Sequence, residues 1–175
     1  MISAILLTAF LSANCGNTHG GTISDHFDGS RFVNSEKEDR SGEYTFIQRL
    51  RWLRSTKLVE WPVWIDDPAL PFPAEQVGNG ELRITHIYQA TILIQINGVN
   101  IQTDSIWSQR ASMVSWAGPN RVRAPGVKME DLPRIDFILI SHDHYDHLEI
   151  ATLKQLTKNH SPILFAGLGV KRLLE

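Results

Sequence analysis

The stretch SHDHYDHL at residues 141–148 contains three histidines and two aspartates within eight positions. It follows the short run DFILI at residues 136–140, whose lack of polar alternation is typical of a strand buried on both faces. Ile150, Leu153 and Leu156 then recur at helical spacing, which predicts a helix. Histidines and carboxylates at the carboxyl end of a strand, just before a helix, indicate an active site at the edge of an α/β sheet.

The spacing within residues 141–148 favours metal binding. His142 and His144 lie two apart on extended backbone, so their side chains point the same way and can grip one metal ion. Asp146 and His147, near the start of the predicted helix, can reach a second ion. Imidazole nitrogen with carboxylate oxygen suits Zn²⁺, with Fe or Mn as alternatives. The chain has a single cysteine, Cys15, which excludes a cysteine-rich zinc site and an internal disulfide.

The sequence from residue 80 onward predicts an α/β domain. Three alternating runs form a predicted β-meander, in which Asn97-Gly98 is a strong hairpin signal. A long connection then leads to the strand before the metal-binding stretch, and a helix, a second apolar strand and a further helix follow it. The predicted segments are 82–86, 91–96 and 99–103 for the meander, 105–133 for the connection, 162–166 for the second apolar strand and 170–175 for the last helix.

The region before residue 80 divides into three segments. Residues 1–15 have the composition of a leader, and residues 16–40, rich in Gly, Ser, Asn, Asp and charge, that of a flexible tether. Residues 41–79 are predicted to wrap around the domain, because their prolines fix φ and remove backbone donors. Apolar residues at helical spacing within 43–55 predict one short helix in this extension.

The leader bears on where the protein resides. The apolar run at residues 1–13 is shorter than the roughly 20 residues of a membrane-spanning helix. It has the length of the apolar core of a secretory signal, although the positive residues that usually precede such a core are missing. Cys15 follows Leu11-Ser12-Ala13-Asn14, which resembles a bacterial lipoprotein box except at Asn14. Three expectations stay open: a membrane-anchored lipoprotein lipidated at Cys15, a periplasmic protein released by cleavage, or a cytoplasmic protein with a misplaced start.

The net charge of the chain gives no indication of nucleic-acid binding. Seventeen basic and nineteen acidic residues give a net charge of -2. Such a balance provides no long-range attraction to a polyanion, so no nucleic-acid partner is expected.

Residues 82–175 resemble the metallo-β-lactamase superfamily, whose signature is the pattern His-x-His-x-Asp-His found at 142–147. A longer series of residues is similar to the N-acyl-phosphatidylethanolamine-hydrolysing phospholipases D and their bacterial relatives. That series comprises HFDGSRF at 26–32, AT at 90–91, LIQ at 93–95, TD at 103–104, WSQRAS at 107–112, AGPNRVR at 117–123, DLP at 131–133, ID at 135–136 and SHDHYDHL at 141–148.

The resemblance implies a fold and a set of roles. The fold is the first half of an αβ/βα sandwich and therefore an incomplete domain. His142 and His144 would hold the first zinc ion, and Asp146 and His147 the second, with Asp146 also orienting the nucleophile. Asp104 resembles the family's buried aspartate and would orient a ligand imidazole; the alternative is a turn-forming aspartate after a strand.

Two arginines have a weaker functional prediction. Arg121 and Arg123 are candidates for steadying a substrate phosphate, and exposed, solvated arginines are the open alternative. The resemblance also leaves departures. The family usually has Gly-His-Ala-Thr where this chain has Tyr88-Gln89-Ala90-Thr91, and Thr-Asp-Pro where this chain has Thr103-Asp104-Ser105.

The second half of the family's domain supplies a third histidine, a bridging aspartate and a last histidine, none of which lies in residues 1–175. The activity implied is a phospholipase D-type hydrolysis of N-acyl phospholipids at a membrane surface, through a hydroxide shared by two zinc ions. Two alternatives stay open. One is a truncated, inactive remnant with residual metal binding; the other is a hydrolase of the same fold acting on another ester or phosphodiester.

Overall fold

A computed structural model of the chain describes residues 22–29, 33, 45–55, 62–68, 71–110, 112, 116 and 120–174. The predicted leader, including Cys15, lies outside these residues. The elements in chain order are α1 (Phe46–Ser55), β1 (Leu82–Tyr88), β2 (Thr91–Ile96), β3 (Val99–Thr103), a 3-10 helix (Met129–Asp131), β4 (Phe137–Ile140), α2 (Ile150–His160), β5 (Ile163–Ala166) and α3 (Lys171–Leu174). The fold is α/β, as predicted.

Helix α1 begins where its sequence supplies a reciprocal cap. The Thr45 hydroxyl accepts the Gln48 backbone N–H at 3.3 Å, and the Gln48 side chain accepts the Thr45 N–H at 2.7 Å. This Thr-x-x-Gln arrangement satisfies two donors that the first helical turn otherwise leaves open. The short helix predicted within residues 43–55 is confirmed.

The five strands form one sheet in the order β1-β2-β3-β4-β5. Strands β1 to β3 are the predicted antiparallel meander, and Asn97 and Gly98 at its second turn adopt positive φ values of 48° and 77°. Strands β3, β4 and β5 run parallel. Their carboxyl ends therefore meet at one edge of the sheet, where the β1–β2 turn also lies; we call this the catalytic edge.

One face of the sheet is covered by α2. Leu153 and Leu156 of the helix are buried in one cluster with Leu93, Ile138 and Ile140 of the sheet. The helix ends at Ser161, whose left-handed backbone (φ 53°) turns the chain into β5. Because β4 leads into α2 and α2 leads back to a parallel strand, the stretch between β4 and α2 is fixed at the catalytic edge.

The other face of the sheet is open among the residues described. Leu139 of β4 and Ile163 and Phe165 of β5 are 38%, 58% and 53% exposed, and Leu82 and Ile84 of β1 are exposed as well. The prediction that β4 and β5 are buried on both faces is therefore wrong for this structure, because α2 covers only one side. One sheet with one helical layer is the architecture of one half of an αβ/βα sandwich.

Backbone carbonyls of the Pro-rich extension accept hydrogen bonds from side-chain amides of the sheet. Asn100 donates from its side-chain nitrogen to the carbonyl of Glu75 at 2.8 Å, and Gln95 donates to the carbonyl of Ala74 at 2.7 Å. Both side-chain amides are buried, and each uses a hydrogen-bond donor on a backbone carbonyl of the extension. Farther upstream, the Ile65 N–H donates to the Val122 carbonyl.

The structure corrects the tether prediction at one point. Within residues 16–40, Ser24 and Phe27 pair across a turn, and Phe27 is only 3% exposed. A buried aromatic side chain holds this turn against the protein. The tether is therefore structured around Phe27, and most of its other residues lie outside the part described.

Candidate metal centre

The histidine-rich stretch leaves β4 at the catalytic edge and folds into a turn before α2. The backbone N–H groups of His147 and Leu148 both donate to the carbonyl of His144, at 2.9 and 2.7 Å. This turn reverses the chain, so that the rings of His142, His144 and His147 lie together. The His142 ring centroid is 4.6 Å from that of His144 and 4.1 Å from that of His147.

Asp104 anchors this turn from the end of the neighbouring strand. It follows β3 in a left-handed conformation (φ 31°), which aspartate tolerates better than most residues. One carboxylate oxygen accepts the Ser141 N–H at 2.8 Å. The other accepts the Ser141 hydroxyl at 2.7 Å and lies 2.9 Å from Nδ1 of His147. Asp104 is 6% exposed, so these are buried hydrogen bonds to a carboxylate.

For two of the histidines, these contacts determine which ring nitrogen carries the proton and which keeps its lone pair. A carboxylate only accepts, so Nδ1 of His147 carries the proton and Nε2 keeps its lone pair. The Ser141 hydroxyl uses its one proton on Asp104, so its 2.8 Å contact with Nδ1 of His142 makes that nitrogen a donor too. Asp104 thus directs the Nε2 lone pairs of His147 and, through Ser141, of His142. Ring-orienting carboxylates of this kind are usual behind metal-ligating histidines.

The imidazole nitrogens of this site could supply part of the ligand set of a metal ion. Nε2 of His142 and Nδ1 of His144 lie 3.0 Å apart, at hydrogen-bonding distance, so two imidazole nitrogens are neighbours at this edge. Across the described residues, however, no three or more His, Cys, Asp or Glu side chains form a group arranged to hold a metal ion. A zinc site usually has three or four protein ligands. The chemistry of the predicted ligands therefore fits zinc, and the described part supplies an incomplete set.

Asp146 is held from the opposite side. Its carboxylate Oδ2 lies 3.9 Å from Nε2 of His147, so these two predicted ligands of the second ion are neighbours. The amide nitrogen of Gln89, in the β1–β2 turn, is 3.1 Å from Oδ2 and 3.1 Å from the main-chain carbonyl of Asp146. The structure thus brings together all four predicted ligands, together with Asp104.

The two candidate phosphate-binding arginines have different environments. Arg121 is buried and donates from Nε and Nη2 to the Ser108 carbonyl at 3.1 and 2.6 Å, and its guanidinium stacks 4.4 Å from the Tyr88 ring centroid. Burial lowers its pKa, an effect that Tyr88 and Glu149 oppose. The alternative of a solvated arginine is therefore wrong for Arg121. Arg123 is half-exposed and pairs at the surface with Asp67, which is not part of the histidine-rich stretch.

Sequence reasoning missed two residues of this centre. Ser141 links Asp104 to His142, and its position directly before the first histidine was the available signal. Gln89 contacts Asp146 across 57 positions of sequence. The only indication in the sequence was that Gln89 stands where the resembling family carries a histidine.

No helix in the described part of the chain has the length and apolar character needed to cross a membrane.

Comparison with known proteins agrees with this geometry. Residues 99–175 match the Beta-lactamase superfamily domain. The chain is 45% identical over 92 residues to an N-acyl-phosphatidylethanolamine-hydrolyzing phospholipase D of Caenorhabditis elegans, covering 52% of this chain and 26% of that protein. It is 32% identical over 109 residues to the mitochondrial protein of that name from Saccharomyces cerevisiae, covering 61% and 23%.

A third relative carries no assigned activity. An uncharacterized protein of Mycobacterium tuberculosis is 36% identical over 108 residues, covering 59% of this chain and 29% of that protein. The chain thus spans about a quarter of the length of the curated relatives it matches. The sheet, the Asp104-supported histidines and these matches together make residues 99–175 similar to a beta-lactamase superfamily domain, and the chain similar to part of the N-acyl-phosphatidylethanolamine-hydrolyzing phospholipases D.

Proposed function

We propose that this chain carries part of the active site of a zinc-dependent phosphodiesterase that hydrolyses N-acyl phospholipids. The observation that carries the proposal is the Asp104–Ser141–His142 chain of contacts, with His147 on the same carboxylate. Such support is needed where imidazoles must keep their lone pairs directed at an ion. Similarity to two phospholipases D that act on N-acyl-phosphatidylethanolamine supports the substrate class.

Each predicted ligand then has a defined task. His142 and His144 would hold the first zinc ion, and Asp146 and His147 would hold the second. When bound, zinc would lower the pKa of a water molecule so that it is a nucleophile at neutral pH, and it would stabilise the charge on the phosphoryl oxygens. Asp146 orients the attacking water by accepting its hydrogen bond at a carboxylate oxygen. In the overall reaction water adds to phosphorus and the bond to the ethanolamine oxygen breaks, giving phosphatidic acid and an N-acylethanolamine.

The substrate class also implies work at a lipid surface. Trp116 is 73% exposed and Trp52 of α1 is 64% exposed. Indole rings prefer the interface between water and lipid headgroups. We include a membrane surface in the proposed function on these grounds, with an exported, Cys15-anchored protein as the proposed location.

The test uses the protein expressed from its natural gene, purified with zinc. Vesicles of phosphatidylcholine that contain N-palmitoyl-phosphatidylethanolamine are the substrate, and mass spectrometry quantifies N-palmitoylethanolamine and phosphatidic acid. We expect equal amounts of the two products from the wild type. His142→Ala/His144→Ala should abolish both the products and the bound zinc measured by elemental analysis. His26→Ala, on an exposed histidine of the N-terminal turn, is the matched control and should change neither.

Other results would identify the alternatives. Zinc at the wild-type level in the double variant would overturn the metal centre. Bound zinc with cleavage of a simple aryl phosphodiester or ester but not of the N-acyl phospholipid would indicate another substrate for the same fold. A wild-type protein with neither zinc nor hydrolysis would be the inactive remnant.

A further inference from the structure

The β1–β2 turn is built to direct one side chain at the metal centre. The register of β1 on β2 shifts between His86 and Tyr88, which marks a bulge, and bulges commonly re-aim side chains beside active sites. Gln89 then adopts a positive φ of 43°, a conformation that few non-glycine residues occupy. Its carbonyl lies 3.1 Å from Nε2 of His86, which closes the turn.

The side chain of Gln89 reaches Asp146 at two atoms. Its amide nitrogen is 3.1 Å from the main-chain carbonyl and 3.1 Å from carboxylate Oδ2 of Asp146. One amide nitrogen carries two hydrogens, so both acceptors can be served at once. Such a pair of hydrogen bonds fixes the carboxylate relative to its own backbone, because one donor holds both ends of the residue.

We propose that Gln89 is a positioning residue for the Asp146 carboxylate. By donating to Oδ2 and to the main-chain carbonyl, Gln89 selects the rotation of the carboxylate in which Oδ2 lies 3.9 Å from Nε2 of His147. Hydrogen-bonding partners behind a metal ligand raise metal affinity by about tenfold to a hundredfold, which sets the size of the expected effect. The inference rests on the proposed metal centre for its functional meaning, whereas the contact itself exists without metal.

Two variants and one control test the proposal in the full-length protein. Gln89→Leu removes the donor at similar size, and Gln89→Glu replaces it with a carboxylate that repels Asp146. Gln155→Leu, at an exposed glutamine of α2, is the matched control. Hydrogen exchange of residues 142–148 is measured after removal of metal with a chelator, and zinc affinity is measured by competition with a chromophoric chelator.

We expect both Gln89 variants to exchange faster over residues 142–148 and to bind zinc at least about tenfold more weakly. Gln89→Glu should show the larger loss, and Gln155→Leu should match the wild type in both measurements. Exchange and affinity at wild-type values in both Gln89 variants would overturn the proposal while leaving the metal centre intact. Faster exchange in the variants of a protein whose wild type binds no zinc would support the role of Gln89 and overturn the metal centre.

Discussion

The carboxylate of Asp104 accepts two hydrogen bonds from Ser141 and one from His147, and the residue, with a φ of 31°, is 6% exposed. A buried carboxylate costs free energy unless its lone pairs are used. The lone pairs of Asp104 are used by Ser141, which precedes the first predicted ligand, and by His147, which is itself a predicted ligand. The stability of the loop and the orientation of the ligands therefore depend on the same side chain.

Asp104→Asn separates a carboxylate from an amide of the same shape. The amide nitrogen donates, so it opposes either the Ser141 N–H, if it replaces Oδ1, or the Ser141 hydroxyl and the Nδ1 proton of His147, if it replaces Oδ2. We expect zinc affinity to fall by about tenfold to a hundredfold. The free energy of unfolding in urea should fall by about 1–3 kcal/mol. Asp67→Asn, on the surface pair with Arg123, is the control, with a loss of about 1 kcal/mol or less. Equal effects of the two substitutions would contradict the role of Asp104.

His160 gives the protein a predictable dependence on pH. Its Nδ1 lies 3.4 Å from the backbone N–H of the fully buried Ile135, an interaction that requires an unprotonated nitrogen. Burial lowers its pKa below the ordinary 6.5, and Glu75 opposes the shift. The unfolded chain therefore takes up a proton at a higher pH than the folded chain. Stability is retained above pH 6.5 and is lost as the pH falls from there toward the folded pKa, below which the loss is complete.

The measurement compares His160→Asn with the wild type in urea between about pH 8 and about pH 5. Asparagine offers an acceptor oxygen and does not titrate. The wild type should lose more unfolding free energy than the variant over this interval. Parallel losses in the two proteins would show that His160 contributes nothing to the acid dependence.

At the scale of elements, the strands and α2 follow from local patterns. Asn97-Gly98 sets the β2–β3 hairpin, and the apolar spacing of Leu153 and Leu156 sets the buried face of α2. That His142, His144, Asp146 and His147 lie near one another was also predictable, because they are close in sequence at a strand end, whereas their role as metal ligands stays a prediction. The contacts of Gln89 with Asp146 and of Arg121 with Ser108 were not. They depend on how turns and loops fold onto one another, across 57 positions for Gln89 and 13 for Arg121, and hydrophobic periodicity carries no information on such contacts.

Leu156 is the element-scale test of the packing that fixes the catalytic edge. Its side chain is 0% exposed between α2 and the sheet. Leu156→Ala should lower the free energy of unfolding by about 2–5 kcal/mol, because it removes buried methyl groups and leaves a cavity. Leu168→Ala, at a leucine that is 71% exposed, should stay within about 0.5 kcal/mol of the wild type. Urea unfolding followed by circular dichroism measures both, and a loss below about 1 kcal/mol at Leu156 would mean that α2 does not pack as described.

For the whole molecule, the open face of the sheet is the dominant feature. The exposed Leu82, Ile84, Leu139, Ile163 and Phe165 share this face across β1, β4 and β5. Contiguous apolar surface of this kind normally marks an interface. The urea measurements above use the protein expressed from its natural gene, whereas the 175-residue chain on its own should bind the dye ANS and unfold over a broad range, as loosely packed states do. A sharp, cooperative thermal transition of the monomeric chain without ANS binding would contradict this.

Location is the remaining property that belongs to the whole molecule, and Cys15 provides its test. If Cys15 is lipidated, residues 16–40 connect a membrane anchor to the domain. A flexible chain of about 25 residues reaches some 25–30 Å, although the buried Phe27 shortens that reach. Such a connection would place the catalytic edge against the bilayer, where the protein meets an N-acyl phospholipid that stays in the membrane.

Several acyl chains on one cysteine give the stable attachment that a single chain does not. Cys15→Ser in the natural gene should move the protein from the membrane pellet to the supernatant after cell lysis, with Ser35→Ala, outside the lipoprotein-box-like stretch, as the control that stays in the pellet. A Cys15→Ser protein that still pellets would assign the membrane contact elsewhere, and the exposed Trp52 and Trp116 would then be the next surfaces to substitute.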